Sequence, residues 1–325
     1  MTPAACRCRF PDCPGQARNA EHSVLSLVHN RTFEPRYGEA VALSPLVARM
    51  TAPNASPFTF HGTNTYLVGE RDLAVIDPGP EDEGHIRAIL AATAGRSISH
   101  IVVTHTHRDH SPGARLLKAH TGAPIVGAAE HRPARPLNVG EINPLDAGGD
   151  TYHVADWILS EGEVLEGDSW SLETVETPGH TANHLAFALT QEGSLFSGDH
   201  VMAWSTSIVA PPDGTMADYM ASLDRLMARA EQRYYPGHGG TVEEAQAYVA
   251  ALKKRRQARE AAVLERIRAG DAHIPEMVKI IYRNVDPILH GPAALSVLAH
   301  VEDLVARGVA VCEGPPSLMA RYELA

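Results

Sequence analysis

Three histidines and one aspartate follow a short apolar run in the first half of the chain. Residues 100–113 read HIVVTHTHRDHSPG, which places His105, His107, Asp109 and His110 within six positions. The apolar run IVV predicts a buried strand, so the four polar side chains fall on the turn that leaves it. Loops at strand ends are held by a rigid sheet and often carry function. The pattern predicts a sheet-based fold with a chemical site at one sheet edge.

Three later segments repeat this arrangement of an apolar strand followed by a ligand-type side chain. LETVETPGH ends at His180, SLFSGD ends at Asp199, and RYYPGH ends at His238. These residues are far apart in the sequence, so only a folded sheet brings them into one cavity with the turn at 105–110. A single histidine is more often a surface or core residue than a ligand, but four such strand ends together favour a metal site.

Five histidines and two aspartates suit a pair of borderline divalent ions, zinc first among them, with iron or manganese as alternatives. Asp109 and Asp199 are also the candidate catalytic residues. A water that bridges two such ions has a pKa of about 7, which provides hydroxide for hydrolysis at neutral pH. In one arrangement the first ion is held by His105, His107 and His180, the second by Asp109, His110 and His238, and Asp199 bridges the two.

Four further residues near these motifs have two interpretations each. Asp77, in VIDPG, is either a turn residue or a group that orients the metal loop by hydrogen bonding. His184, in GHTANH, either supports the ligands or begins the next strand. His61 and His200 lie close to the motifs in sequence and are not assigned to the site.

Strands and helices alternate over most of the chain, which favours a layered α/β domain. YLVG and LAVIDPGP predict a hairpin, EDEGHIRAILAAT and ADYMASLDRLMARA predict helices, and residues 130–150 predict a long surface loop. Loops 130–160 and 201–216 are expected to select the substrate, with Trp157, Trp204 and Tyr219 either lining a pocket or packing in the core.

The pattern changes after residue 240, where one long helix ending at Gly270 is followed by two shorter amphipathic helices. The tail VAVCEGPPSLMARYEL resembles a two-stranded wing. The sequence therefore predicts three parts: a flexible extension over residues 1–22, a catalytic domain over residues 23–240, and a long helix with a winged-helix-like domain over residues 241–325.

Composition limits the location and partners of this 325-residue chain. No apolar run is long enough for a transmembrane helix, and the N-terminus lacks the apolar core of a secretory signal, so we interpret the protein as cytoplasmic. Its net charge of −11 disfavours nonspecific binding to nucleic acid. The crowded Cys6, Cys8 and Cys13 are either reduced thiols of a flexible leader or a small metal or redox cluster.

The motifs THTHRDHSPG, TPGHTANH, LFSGDHV and YPGHG resemble those of the metallo-β-lactamase fold superfamily, in the expected order. With SPFTFHGTNTYLVG and the helical tail, the chain is similar to the β-lactamase-like protein 2 branch, which carries a winged-helix-like C-terminal domain. The resemblance implies an αββα sandwich, two zinc ions, and the same seven ligand roles.

A hydrolase that acts on an ester, thioester, lactone, amide or phosphodiester of a small molecule is the leading functional hypothesis. The branch includes a single-strand-specific endoribonuclease, so single-stranded RNA is an alternative substrate. The basic stretch KKRRQAR (253–259) then faces RNA, whereas otherwise it is the solvated face of a helix. A third hypothesis is glutathione-thioester hydrolysis or persulfide dioxygenation with iron. DNA binding is disfavoured, since the candidate recognition helix, HGPAALSVLAHVEDLVARG (290–308), has no basic face.

Overall fold

The computed structural model describes residues 28–139, 141, 143 and 148–325. The predicted extension and its three cysteines lie outside the described residues. Fourteen strands are present in this part of the chain, and their bounds follow in chain order. They are β1 Val41–Ala42, β2 Val47–Thr51, β3 Asn64–Val68, β4 Asp72–Ile76, β5 Ser97–Val103, β6 Ile125–Gly127, β7 Trp157–Ile158, β8 Val164–Glu166, β9 Ser171–Glu176, β10 Leu185–Leu189, β11 Ser194–Gly198, β12 Arg233–Pro236, β13 Ala310–Cys312 and β14 Tyr322–Leu324.

Six α-helices accompany these strands. Within the described residues they are α1 Glu83–Ala92, α2 Gly113–Thr121, α3 Met216–Met227, α4 Ala245–Arg268, α5 Ile274–Ile281 and α6 His290–Ala306, and a 3-10 turn spans Pro287–Leu289. The predicted hairpin is confirmed, since β3 and β4 pair antiparallel. The strands β1, β2, β7 and β8 were not predicted from the sequence. No helix of the described residues is long and apolar enough to cross a membrane, and the cytoplasmic location stays a prediction.

Two sheets form the centre of the molecule. The first has seven strands in the order β1-β2-β3-β4-β5-β6-β7, and the second has five in the order β12-β11-β10-β9-β8. The first sheet is antiparallel up to β4 and parallel from β4 to β7. Crossovers to parallel strands need helices, and α1 and α2 supply them on either side of β5.

The two sheets pack face to face over a shared core that includes Tyr66, Ile76, Phe187 and Phe196. On the outer face of the first sheet, α1 and α2 bury residues such as Ile86 against Val75 and Ile101. On the outer face of the second sheet, α3 and the first half of α4 cover the strands. The layers therefore run helix, sheet, sheet, helix, and the predicted αββα sandwich is confirmed.

The C-terminal part contains α5, α6 and the antiparallel pair β13 and β14. Its core combines residues of α6 with Val263 and Ile267 from the second half of α4 and with Tyr322 from β14. Val249 and Leu252, in the first half of α4, belong instead to the core of the second sheet. A single continuous helix thus contributes to both cores, which fixes the small domain against the sandwich.

Candidate metal centre

The predicted ligand residues meet at one edge of the sandwich. The turn with His105 follows β5 of the first sheet, whereas Asp199 follows β11 and His238 follows β12 of the second sheet. The two sheets are joined at this edge, since the side-chain amide of Asn64 donates to the carbonyls of Pro236 and Gly239. Strand ends from both sheets therefore deliver side chains to one position.

The first group of three side chains consists of His105, His107 and His180. His107 Nδ1 lies 3.1 Å from His105 Nε2 and 3.0 Å from His180 Nε2. Zinc–nitrogen bonds of 2.0–2.1 Å in a tetrahedron place ligand nitrogens about 3.3 Å apart. The observed separations are close to this value, so the group fits one tetrahedral ion.

The second group consists of Asp109, His110 and His238. Asp109 Oδ2 lies 3.2 Å from His238 Nε2 and 3.4 Å from His110 Nε2, and the two Nε2 atoms are 3.2 Å apart. The same three residues form a group whose ligand atoms lie within 4.8 Å of one another. One carboxylate and two imidazoles are a donor set that zinc, iron and manganese accept.

Asp199 lies between the two groups. Its Oδ1 is 3.5 Å from His110 Nε2, while its Oδ2 is 3.3 Å from His238 Nε2 and 3.7 Å from His180 Nε2. Oδ1 is buried and has no hydrogen-bond partner among the described residues. Because a buried, unpaired carboxylate oxygen is costly, this atom fits a position where a cation binds.

Hydrogen bonds on the outer side of the histidine rings aim the inner nitrogens at the centre. His110 Nδ1 donates to Asp77 Oδ2 at 2.9 Å, and His180 Nδ1 donates to the carbonyl of Ile208 at 2.6 Å. His238 Nδ1 lies 3.2 Å from the carbonyl oxygen of Gly62. Such outer partners fix the ring orientation and the tautomer of metal-binding histidines.

Asp77 holds His110 and also orients the turn at residues 105–110 that carries the predicted ligands. Its Oδ1 accepts from the backbone N–H of Thr104 at 2.8 Å, and its Oδ2 accepts from the Thr104 hydroxyl at 2.7 Å. Asp77 has a left-handed backbone with φ of 48°, which is uncommon for a residue other than glycine. Of the two interpretations from sequence, the structure supports orientation of the loop.

His184 supports Asp199 rather than facing the cleft. Its Nε2 accepts from the backbone N–H of Asp199 at 3.0 Å, and its Nδ1 donates to the Thr177 hydroxyl at 2.8 Å. His200 is buried and its ring lies tilted against that of Tyr219, and His61 packs against Phe60. Neither His200 nor His61 lines the cleft at the metal centre.

Charges at the centre favour a cation. Burial alone lowers the pKa of His238, but the nearby Asp199 and Asp109 carboxylates raise it to about 9. The same carboxylates hold the pKa of His110 well above its ordinary value, against the effect of burial. His107 has no such excess of acidic neighbours. Burial is the main reason that its pKa falls to about 3, and the nearby His180 lowers it further. The buried carboxylate of Asp199 and the half-buried carboxylate of Asp109 therefore attract positive charge, which divalent ions supply.

A cleft of about 410 Å³ opens above the metal centre. His107, Asp109, His180 and Asp199 form its floor, and Arg108 lies at its edge. The walls are mainly apolar and come from loops 54–59 and 202–208, including Pro57, Phe58, Met202, Trp204 and Ile208. The expected role of loop 201–216 agrees with this lining, whereas from loop 130–160 only Gly148 contributes among the described residues.

The sequence did not reveal the wall at residues 54–59. The only signal in the sequence was a large aromatic residue directly after a proline, Phe58 after Pro57, and the structure shows that Phe58 is 52% exposed. Of the three aromatic candidates, Trp204 lines the cleft, Tyr219 is fully buried in the core, and Trp157 is an exposed residue of β7.

Comparison with known families supports the same grouping of motifs. The model of the metallo-beta-lactamase superfamily matches residues 58–238, which is more than half of the chain. The chain belongs to the metallo-beta-lactamase superfamily. A model of the beta-lactamase associated winged helix domain matches residues 274–315. The predicted family and the predicted winged-helix C-terminal domain are both confirmed.

Relatives of this metallo-beta-lactamase superfamily member include named hydrolases. A beta-lactamase-like protein 2 homolog of Drosophila melanogaster is 29% identical over 82% of this chain and 93% of its own length. An atrochrysone carboxyl ACP thioesterase of Aspergillus terreus is 29% identical over 76% of this chain and 70% of its own length. The prediction that the chain is an enzyme, a hydrolase of this superfamily, is confirmed.

Solved structures show the same fold. A beta-lactamase domain protein from Burkholderia ambifaria superimposes with a TM-score of 0.72 at 21% identity, covering 94% of this chain and 99% of its own. Superfamily membership and the grouped histidines and aspartates support metal binding. The kind and number of ions, and the role of each of the seven ligands, stay predictions.

Proposed function

We propose that the protein is a dinuclear zinc hydrolase that cleaves an ester or thioester bond next to an apolar acyl group. The observation that carries this proposal is the position of Asp199 between two groups of three ligands. Iron or manganese would suit the same donors, and zinc is preferred because five of the six predicted ligands other than Asp199 would be imidazoles held in compact groups.

Each residue of the centre has a distinct task in this proposal. His105, His107 and His180 would hold one ion, and Asp109, His110 and His238 the other, with Asp199 contacting both. When bound, divalent ions lower the pKa of water and stabilise negative charge on the oxygen of a carbonyl group under attack. Asp77 and the carbonyl of Ile208 keep two of the imidazoles oriented.

The cleft favours a small molecule with an acyl chain. Its walls bring Pro57, Phe58 and Met202 together above the metal centre, and apolar walls with a few polar groups are typical of small-molecule sites. The thioesterase named among the relatives acts on an acyl group, which supports a thioester as the first substrate to test.

A substrate panel combined with metal analysis tests this proposal. The panel contains thioesters, esters, lactones and phosphodiesters with acyl groups of increasing length. We expect two zinc equivalents per chain and the fastest hydrolysis for thioesters or esters with an apolar acyl group. Asp199→Asn should lose at least one equivalent and lower kcat/KM by at least 100-fold, because it removes the charge between the two groups while keeping the shape.

Asp168→Asn is the matched control, since Asp168 is an exposed carboxylate that pairs with Arg71 outside the cleft. This variant should keep both the metal and the activity. Full metal content and full activity in Asp199→Asn would refute the dinuclear proposal. Iron in place of zinc, together with turnover of a glutathione adduct, would favour the sulfur chemistry considered above.

An endoribonuclease is the second candidate function. The specific observation in its favour is a group of arginines beside the metal cleft, three of them from the stretch 253–259. Metal-dependent cleavage of unstructured RNA that weakens steeply with salt would support it. Intact single-stranded RNA after incubation with protein that hydrolyses thioesters would exclude it.

A further inference from the structure

A second cavity of about 310 Å³ adjoins the metal cleft. It lies between the sandwich and the C-terminal domain, with α4, Tyr282 and Leu289 on one side and loop 204–208 on the other. The two cavities have six lining residues in common, namely Pro57, Phe58, Trp204, Ser205, Thr206 and Ile208. A molecule bound at the metal centre can therefore extend into the second cavity past Trp204.

Four arginines line this second cavity, which we call the arginine cavity: Arg31, Arg255, Arg256 and Arg259. Within the described part of the chain, none of them has a carboxylate within 4.0 Å, the limit for an ion pair. The whole chain nevertheless carries 39 acidic residues against 28 basic ones. In such an acidic protein, unneutralised arginines gathered at one cavity favour an anionic ligand.

Arg256 is held rigidly at the wall of the arginine cavity. It is only 4% exposed, its guanidinium lies 4.7 Å from the ring centre of Tyr219, and it donates to the carbonyl of Ser207 and to the hydroxyl of Ser296. Its Nε is buried and has no hydrogen-bond partner among the described residues. The interpretation of the whole basic stretch as a solvated helix face is therefore wrong for Arg256.

Arg255 and Arg259 stand beside Arg256 on the same face of α4. Arg259 stacks on Tyr282, with its guanidinium 4.1 Å from the ring centre. Burial lowers the pKa of Arg259, and the positive charges of Arg255 and Arg256 lower it further, although Tyr282 acts in the opposite direction. These like charges repel one another, so an anion that enters the cavity relieves the repulsion.

We propose that the arginine cavity binds the phosphate group of a substrate whose acyl thioester lies in the metal cleft, an inference that rests on the proposed function. Guanidinium groups bind phosphate through paired hydrogen bonds, and several guanidinium groups can contact different oxygens of one phosphate. The apolar walls of the adjoining cleft fit an acyl chain.

A matched pair of substrates isolates the contribution of the phosphate. Acyl-phosphopantetheine and acyl-pantetheine carry the same thioester and differ only in one phosphate group. We expect the wild-type enzyme to hydrolyse the phosphorylated thioester with a kcat/KM at least 10-fold higher. In the double variant Arg255→Gln and Arg259→Gln, this ratio should fall close to one, because both charges are removed from the cavity.

Lys254→Gln is the matched control, since Lys254 is an exposed cation of the same helix that does not line the cavity. It should keep the ratio of the wild type. A ratio near one in the wild type, with both thioesters hydrolysed, would overturn the phosphate site while leaving the proposed function intact. Acyl-coenzyme A and an acyl carrier protein both carry the phosphopantetheine arm. A higher kcat/KM for one of the two would identify which of them supplies the thioester.

Binding of free phosphopantetheine, measured by calorimetry, gives a readout that does not need turnover. The double variant should bind it at least 10-fold more weakly than the wild type and than Lys254→Gln. If no thioester is hydrolysed, the proposed function fails, and calorimetry alone decides on the phosphate site. Equal binding by all three proteins would overturn that site. Cleavage of single-stranded RNA that depends on the same arginines would identify RNA, and not a thioester, as the substrate.

Discussion

At the scale of single residues, the metal centre depends on space as well as on ligands. Gly237 precedes His238, and a Cβ atom at this position would lie 2.5 Å from Asp199 Oδ1 and 2.7 Å from His110 Cε1. Cβ atoms do not approach other atoms so closely, so a larger residue must displace one of these two ligand side chains. A glycine at this position is therefore part of the metal centre although it offers no ligand atom.

Gly237→Ala should reduce the metal content by at least one equivalent and lower hydrolysis by at least 10-fold, since Asp199 and His110 cannot both keep their positions. Metal analysis and kcat/KM measure the two effects. Gly240→Ala is the matched control, because its Cβ would meet only the carbonyl oxygen of Thr32 at 3.8 Å. Equal metal content in the two variants would show that the centre tolerates the displacement.

His85 makes the stability of the first sheet depend on pH. It is buried in α1, with Nε2 2.9 Å from the Thr65 hydroxyl, and burial lowers its pKa from 6.5 to about 4 although Asp82 acts in the opposite direction. Between pH 4 and pH 6.5, His85 is protonated in the unfolded chain but largely neutral in the folded one, so the unfolded chain binds more protons. The stabilising contribution is thus complete above pH 6.5 and is lost as the pH falls to about 4.

Compared with His85→Gln, which stays neutral, the wild-type protein should lose about 3 kcal/mol of stability between pH 6.5 and pH 4. Urea unfolding of both proteins at several pH values measures this difference, and other titrating groups cancel because they are common to both. A difference in stability that does not change with pH would contradict the lowered pKa.

At the scale of secondary structure elements, α1 illustrates how local signals set a boundary. Asp82 precedes the helix with an extended backbone, and its Oδ1 accepts from the backbone N–H groups of Gly84 at 2.7 Å and His85 at 3.2 Å. The first N–H groups of a helix have no partner within the helix. The side chain of Asp82 satisfies two of them, which agrees with the helix predicted for this segment.

Asp82→Ala should destabilise α1 by about 1 kcal/mol, the usual cost of losing an N-terminal cap. Amide hydrogen exchange over Glu83–Ala92 measures this locally and should become about fivefold faster. Glu81→Ala, at an exposed neighbouring position, serves as the control and should leave the exchange rates unchanged. Equal rates in the two variants would show that Asp82 does not cap the helix.

At the scale of the whole molecule, α4 decides where the catalytic domain can end. Ala245, Val249 and Leu252 are at most 1% exposed and belong to the core above the second sheet. The boundary predicted at residue 240 would remove them and expose the apolar residues of α3 to water. We therefore expect the catalytic unit to include the first half of α4, and the boundary at residue 240 stays a prediction.

A chain that ends after Gly240 should aggregate, whereas a chain that ends after Gly270 should remain folded and bind metal. The difference arises because burying three apolar side chains contributes several kcal/mol. Soluble yield, circular dichroism and metal content compare the two chains with the full-length protein. A soluble chain that ends at Gly240 and keeps its metal would show that α4 is dispensable for the sandwich.

Much of the sandwich could be predicted because its core strands carry a local signal. Apolar runs such as LAFALT and SLFSG correspond to β10 and β11, and the ligand turn follows β5 as expected. The strands β1, β7 and β8 could not be predicted, since they have only two or three residues each and are largely exposed. Such short strands exist because neighbouring strands pair with them, which no local pattern records.

The sequence by itself determined the fold family, the strands that end in histidine or aspartate, and the helical C-terminal part. These features depend on the hydrophobic pattern and on residue types at fixed spacing, which are local properties. The tertiary structure alone decided that Asp199 lies between two groups of predicted ligands, that Asp77 orients His110, and that Arg255 and Arg259 face a cavity beside the cleft. Distances between residues far apart in sequence are set by the packing of sheets and helices, so they exist only in the folded chain.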